Sequence, residues 1–214
     1  MQNIGGIGNV TVLPSESSTE VISAFDTGPG NMVMDALVRQ TTDGRQHYDP
    51  NGSIAAQGKV DQRLVELCLE DEYFKRLPPK STGREVYGTA YAVRLMEMAA
   101  ARSLSLEDTL ATATCLTAET IVRAVKDLIL PKVQISAMLA CGGGTSNATL
   151  MEMIRQRLPK DIRLERTADY GIPDDVREAI GFALLGHEAL MGRTNTLPAV
   201  TGAKHAVISG NLTL

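Results

Sequence analysis

Residues 2–13 read QNIGGIGNVTVL, two short apolar runs joined by Gly5 and Gly6. The runs QNIGG and NVTVL predict two strands closed by a tight glycine hairpin. A third run, STEVISAFDT, alternates Ile22, Ala24 and Asp26 against Val21, Ser23 and Phe25 and reads as a third strand. It leads into GPG, after which NMVMDALVRQ predicts a helix. Met32, Val33, Ala36 and Leu37 share one face of that helix, and Asn31 stands at its N-cap position. A three-strand meander feeding a helix therefore sets the frame for the rest of the chain.

Downstream, residues 41–58 are polar and rich in turn formers. VDQRLVELCL predicts a short helix with Val60, Leu64, Leu67 and Cys68 on one side, and PPKSTGREVYG a loop. From Tyr87 to Leu130 the pattern is helical, broken near SLSLED, where Ser105 is placed to cap a long helix. VQISAMLACGGG reads as a buried strand ending in three glycines. TSNATLMEMIRQRL reads as a helix with Leu150, Ile154 and Leu158 on one face, and DIRLERT as a strand. PDDVREAIGFALLGHEAL predicts a helix opening at Pro173, with carboxylates in its first turns. The tail HAVISGNLTL is a last short strand or irregular. The whole is one α/β unit over 1–214, a mixed sheet flanked by helices with a helical insertion at about 41–130. It resembles a lobe of the actin-like, ribonuclease-H-like ATPases.

Composition narrows the function. The chain has 214 residues, enough to bury a sizeable core, and a net charge of −4, which offers no basic footprint for nucleic acid. Aromatic residues total 4%, so stacking platforms for single strands are scarce. No apolar run reaches the ~20 residues that cross a bilayer. The first residues show no charged leader before an apolar stretch, so no secretory signal is expected. Cys68, Cys115 and Cys141 form no CxxC pair, and His47, His187 and His205 have no ligand spacing, so neither disulfides nor a protein-built metal site is expected. A cytoplasmic location follows as the expectation.

Four stretches carry candidate chemistry, each beside an ordinary structural reading. In NIGGIGN, glycines let backbone N–H groups approach an anion, or simply close a hairpin. In FDTGPGN, Asp26 at a strand end is placed to accept a proton or bind a hydroxyl, and the following helix start favours anions; alternatively Asp26 bonds its own turn. In CGGGTSN, bare backbone lets a flat group lie close, or serves a tight turn; it is neither a Walker A loop nor a GxGxxG fingerprint. Glu178 either faces Asp26 across a cleft or is a solvated first-turn glutamate. Lys80 and Arg84 in PPKSTGRE reach an anion or decorate an exposed loop.

In order along the chain, NIGGIGNVT, FDTGPGNMVMDA, PPKSTGREVY, LTAETI, CGGGTSNATLM, DYGIPDDVREAIGFALL and LPAVTGA strongly resemble the anhydro-N-acetylmuramic acid kinases. The resemblance implies an ATP- and Mg2+-dependent kinase of cell-wall recycling. It opens the internal ether of 1,6-anhydro-N-acetylmuramic acid with water and phosphorylates O6, giving N-acetylmuramic acid 6-phosphate. It implies Asp26 as the base that activates the water and Glu178 as the second carboxylate. It implies Gly28, Pro29, Gly30 and Asn31 on the sugar, and Asn3, Gly5, Gly6, Asn9, Gly142, Gly143, Gly144 and Asn147 on the nucleotide. The sixth residue of NIGGIGN is Gly8 where many members carry alanine. No GTMSGTS-type phosphate loop is present, so the resemblance implies the second, C-terminal lobe of a two-lobe kinase. Its partners would be the anhydro-amino-sugar, the missing N-terminal lobe and, through the surface so exposed, a second copy in a homodimer. Alternatively, this lobe is inactive alone and acts only as a nucleotide- or sugar-binding module. A bare actin-like filament protein fits poorly, because the sugar-side motifs would then have no role.

Overall fold

The computed structural model describes residues 1–15, 22–174 and 176–211. Among them, five strands form one sheet in the order β3-β2-β1-β4-β5. β1 (Gln2–Ile4) and β2 (Ile7–Val12) pair antiparallel around Gly5-Gly6, and β3 (Ser23–Pro29) pairs antiparallel with β2. β4 (Ala137–Cys141) runs parallel to β1, and β5 (Arg163–Arg166) parallel to β4. The meander is therefore present. The Ser18–Val21 portion of the third predicted strand lies outside the described residues. β3 also runs further than expected, through Gly28 and Pro29, so the turn falls at Gly30 and Asn31.

Alternation along the strands sends Ile4, Val10, Val12, Phe25, Met138 and Ala140 to one face, where all are buried. Gln2 shares that face and is fully buried; its Nε2 donates to Thr27 Oγ1 at 3.3 Å. α6 (Leu106–Arg123) lies against this face, and α1 (Met32–Thr41), with Val33, Met34, Ala36, Leu37 and Val38 buried, packs on α6. Between them in sequence come α2 (Gln62–Leu69), α3 (Glu72–Lys75), α4 (Arg84–Tyr87) and α5 (Thr89–Ala100). α2 buries Leu64, Val65, Cys68 and Leu69; Leu67, expected on that side, is only partly covered. Ser105 caps α6 as predicted, its Oγ accepting from Asp108 N at 3.1 Å.

α6 shows that the segment at 41–130 is no appendage. It packs on β3, α1 and α7 (Ala148–Arg157) and is buried almost all round. Its threonines tolerate burial because their hydroxyls bond back to the helix: Thr109 to Ser105 O, Thr112 to Asp108 O and Thr114 to Leu110 O, at 2.7–2.8 Å. A π-helical turn, Ala124–Ile129, ends it.

α8 (Arg177–Leu190) begins four residues after Pro173, not at it. No side chain of α8 is buried, and Phe182 is 74% exposed, with Ile180, Leu184, Leu185 and Leu190 also open. α9 (Pro198–Thr201) touches β3, and the tail to residue 211 is irregular; the last three residues lie outside the described part. No described helix is long and apolar enough to cross a membrane.

Candidate active site

The face of the sheet opposite the core carries a row of four residues in register. Asp26 of β3 lies opposite Asn9 of β2, Asn9 opposite Asn3 of β1, and Asn3 opposite Cys141 of β4. A slip in register between Gly8 and Asn9 aims Asn9 at Asp26. The row stands where β1 and β4 end, and in α/β sheets ligands bind at the carboxyl ends of parallel strands.

At one end, Asp26 is held by the loop before α4. Its Oδ2 accepts from Ser81 Oγ at 3.0 Å and from Thr82 N at 2.9 Å. Its backbone N–H donates to Lys80 O at 3.2 Å, and its carbonyl accepts from Tyr73 Oη at 2.7 Å. Burial, and next the Asp26 charge, push the Tyr73 hydroxyl pKa upward, so Tyr73 stays a donor. The Thr82 hydroxyl is buried without a hydrogen-bond partner among the described residues. A shallow cleft of about 380 Å³ opens here between Asn9, Asp26, Ser81 and Val200. Lys80 makes no ion pair with Asp26. Its Nζ lies 4.8 Å from the Tyr73 ring centre and donates to Tyr73 O at 3.3 Å; burial, then Arg76, lowers its pKa. Arg84 is exposed.

The two glycine turns that opened the sequence are clasped together. Gly30 N and Met32 N donate to Gly6 O at 3.0 and 3.2 Å, and Asn31 N donates to Gly5 O at 2.8 Å. A Cβ on Gly30 would lie 2.1 Å from Gly5 O. Two expectations change as a result. The Asn31 side chain makes no capping bond to α1, and the first helical N–H, that of Met32, is taken by Gly6 O and is not free for an anion. Gly28, Pro29 and Gly30 are buried, with Phe74 and Thr120 filling the space beside Gly28; of the four expected sugar contacts only Asn31 is half exposed.

The triple-glycine turn closes the other end of the row. Gly142 adopts φ +85°, and a Cβ there would meet Asn3 Oδ1 at 2.5 Å; one on Gly144 would meet Ile4 Cγ2 at 2.2 Å. Gly143 is different: exposed, with only Asn31 Nδ2 near, at 3.7 Å. It borders a cleft of about 350 Å³ with Asn31, Asp35, Tyr48, Asp49, Ser146 and Asn147. Asn31 thus belongs with the triple glycine rather than with Asp26. Asn147 is buried and its Oδ1 caps α7, accepting from Leu150 N at 2.9 Å, so only its amide nitrogen is left for a ligand. Asn9, Gly5 and Gly6 lie at or near the surface, whereas Asn3 is buried within the row.

Burial pushes the Asp35 carboxyl up to about 6, against an opposing pull from Arg39. A folded-state pKa above the unfolded one means that unfolding releases a proton between the two values, so this carboxyl costs stability as pH rises through that window. In urea unfolding, Asp35→Asn is therefore expected to stabilise the chain at pH 7.5, with the gain shrinking below pH 6 and gone near pH 4, the usual Asp value. A gain that does not vary with pH would contradict the burial of this charge.

Glu178 opens α8 beyond the Cys141 end of the row. It and Asp174 raise the Cys141 thiol pKa, after burial, and Arg177 Nη1 lies 3.6 Å from Met1 Sδ on the same face as Asn3. Asp26 and Glu178 therefore stand toward opposite ends of the row. Asp174, which the sequence did not single out, ties this end together. Its side chain accepts from Thr145 Oγ1 at 2.9 Å, Arg166 Nε at 2.7 Å and Thr167 Oγ1 at 2.8 Å, and its carbonyl accepts from Gly142 N at 3.0 Å. Burial works to raise its pKa, but those side-chain bonds outweigh it and hold the carboxyl below its usual range.

Proteins named anhydro-N-acetylmuramic acid kinase match along the whole chain. That of Caldanaerobacter subterraneus subsp. tengcongensis is 44% identical over 214 residues, covering 100% of this chain and 54% of the relative. That of Salinibacter ruber is 44% identical over 212 residues, covering 99% and 53%. That of Bacillus cereus strain AH187 is 41% identical, covering 100% and 55%. The chain thus spans about half the length of the curated relatives it matches. Among solved structures, the activator of the 2-hydroxyisocaproyl-CoA dehydratase from Clostridium difficile, with bound ADPNP, aligns with a TM-score of 0.51 at 15% identity, over 92% of this chain and 63% of that one. That likeness is one of fold, the actin-like ATPase fold. The family model for anhydro-N-acetylmuramic acid kinase matches residues 1–214, and the chain belongs to that family.

Proposed function

We propose that this chain is one lobe of a two-lobe cytoplasmic kinase that opens 1,6-anhydro-N-acetylmuramic acid with water and transfers the ATP γ-phosphoryl group to the freed O6. Asp26 carries the reading. It is a carboxylate midway along β3, oriented through Oδ2 by Ser81 and Thr82, beside a cleft and a buried unpartnered hydroxyl. In the reaction, water attacks the anomeric carbon, the bond from that carbon to O6 breaks, and Asp26 takes the proton of the water. Fixing one carboxylate oxygen leaves the other aimed, which suits a general base. Glu178, at the far end of the row, would steer the sugar from the other side.

Nucleotide is assigned to the cleft at Gly143, where missing side-chain volume leaves bare backbone facing Asn31 and Ser146. Phosphoryl transfer asks mainly for positioning and charge neutralisation. Mg2+, when bound, supplies part of that neutralisation. Among the described residues no group of three or more His, Cys, Asp and Glu side chains is assembled.

The test is Gly143→Val. At this open position the substitution leaves the fold intact and fills the cleft, so nucleotide affinity is expected to fall at least about tenfold while affinity for the anhydro-sugar holds. Calorimetry with each ligand separately reads the difference. Unchanged nucleotide affinity removes this turn from the site. A second reading, a binding module that is silent alone and self-associates, is favoured by the apolar residues exposed along α8. Sugar-dependent ADP release by the chain by itself distinguishes the two.

A further inference from the structure

α1 carries one carboxylate in its first turn, Asp35. Val33, Met34, Ala36, Leu37 and Val38 around it are buried, and Asp35 itself is half-buried. Among the described residues its carboxylate takes part in no hydrogen bond and no ion pair; Arg39, one turn further on, only pulls on it through space. A half-desolvated charge without a partner is unfavourable, and the stability gain expected from Asp35→Asn measures that cost. Proteins keep such groups where function needs them.

Asp35 borders the cleft of about 350 Å³ beside Gly143. Much of the wall there is donor or bare backbone. Asn147 has given Oδ1 to the Leu150 N–H and keeps its amide nitrogen, Asn31 Nδ2 stands near Gly143, and Ser146 is exposed. The second acid of the cleft, Asp49, is satisfied internally: Oδ1 accepts from Ile54 N and Oδ2 from Ala55 N, both at 2.9 Å. Asp35 is thus the carboxylate that offers this cleft two open acceptor oxygens. Charge narrows what it can accept from. A phosphate is repelled by an ionised carboxylate. Adenine sets its N7 acceptor beside its amino donor, so a carboxylate meets repulsion along that edge as well. A ribose presents two adjacent hydroxyls, both donors and neither charged. Acidic side chains meet ribose hydroxyls in dinucleotide-binding folds for the same reason.

We propose that Asp35 is the ribose-reading residue of the nucleotide cleft, its carboxylate accepting from the 2′- and 3′-hydroxyls of a ribonucleoside triphosphate whose phosphates point away from it. This role rests on nucleotide occupying the cleft at Gly143, and it adds a choice of ribonucleotide over deoxyribonucleotide. The base then lies on the bare Gly143 backbone with the sugar turned toward α1.

Calorimetry on the full chain with ATP, 2′-deoxy-ATP and 3′-deoxy-ATP tests it, in the parent and in Asp35→Asn and Asp35→Ala. In the parent at least one deoxynucleotide is expected to bind about tenfold more weakly than ATP, the usual scale for a hydrogen bond to a charged group. In Asp35→Ala, ATP affinity should fall by a similar factor, and the nucleotides should then bind within about twofold of one another. Asp35→Asn keeps one acceptor oxygen and folds at least as stably, so it should fall between the two and separate a lost contact from a lost fold. Equal affinities in the parent, or discrimination undiminished in either variant, overturn the ribose contact. So does an Asp35→Ala effect that vanishes when Mg2+ is withheld, which would make Asp35 a metal ligand instead. Gly143→Val separates these failures from failure of the cleft itself. If it weakens ATP while the parent binds deoxynucleotides as well as ATP, the role of Asp35 alone is wrong. If the chain binds no ATP, or Gly143→Val leaves ATP affinity unchanged, nucleotide does not sit here and both readings fall.

Discussion

Asp26→Asn, made in a two-lobe protein carrying this lobe, is expected to lower kcat by about 10²–10⁴-fold, the usual cost of losing a general base, while nucleotide affinity hardly moves. The asparagine keeps the shape of the side chain, and its carbonyl oxygen can still accept from Ser81 and Thr82. The bond from Tyr73 to the residue 26 carbonyl is untouched, so β3 keeps its place. What disappears is the ability to hold a proton. Steady-state kinetics with saturating nucleotide would show the loss in kcat rather than in KM for ATP. Turnover above about half that of the parent would remove Asp26 from the role of base.

The second large effect concerns stability. Gly30→Ala would place a Cβ 2.1 Å from Gly5 O, with the carbonyl carbons of Gly5 and Ile7 at 3.1 Å. All three neighbours are backbone, so relief requires moving the hairpin and giving up the bonds from Gly30, Asn31 and Met32. A loss of about 3 kcal/mol is expected, at the upper end of overpacking effects. For a chain of this size that corresponds to a fall in Tm of roughly 6–12 °C. Gly143→Ala is the matched control. Its Cβ would meet only Asn31 Nδ2 at 3.7 Å, and Tm should stay put. Equal melting temperatures for the two variants would mean that the clasp between the glycine turns is not rigid.

Which parts of the molecule were legible follows from the range over which each is decided. Local chemistry predicts the Gly5-Gly6 hairpin, the alternation in β2 and β3, the Ser105 cap and the strand that ends in three glycines. All of these depend on residues within a few positions of one another. What the sequence concealed is decided across the fold. Phe74 occupies the space beside Gly28, so a stretch that reads as an open sugar turn is largely interior. The Met32 N–H at the start of α1 is taken by the carbonyl of Gly6, and the Asn31 side chain makes no capping bond. Asp174 holds Thr145, Arg166 and Thr167 at once, partners that lie up to 29 positions away in sequence. Ser81 and Thr82 come to Asp26 from a loop with no periodic signal of its own. α6 reads as a helix from its pattern, but its threonines disguise how deeply it is buried, because their hydroxyls find partners inside the helix.

The row from Asp26 through Asn9 and Asn3 to Cys141 crosses three gaps between strands. Strand spacing is a backbone constant, so the row is a calliper set at about 14 Å. No side-chain rotamer can open or close it. A molecule that engages Asp26 and the triple-glycine turn together must bridge that span, and one too short for it can sit at either end but not at both. Discrimination by length is thereby built into the hydrogen-bonded sheet itself, where point substitutions at the rim cannot retune it.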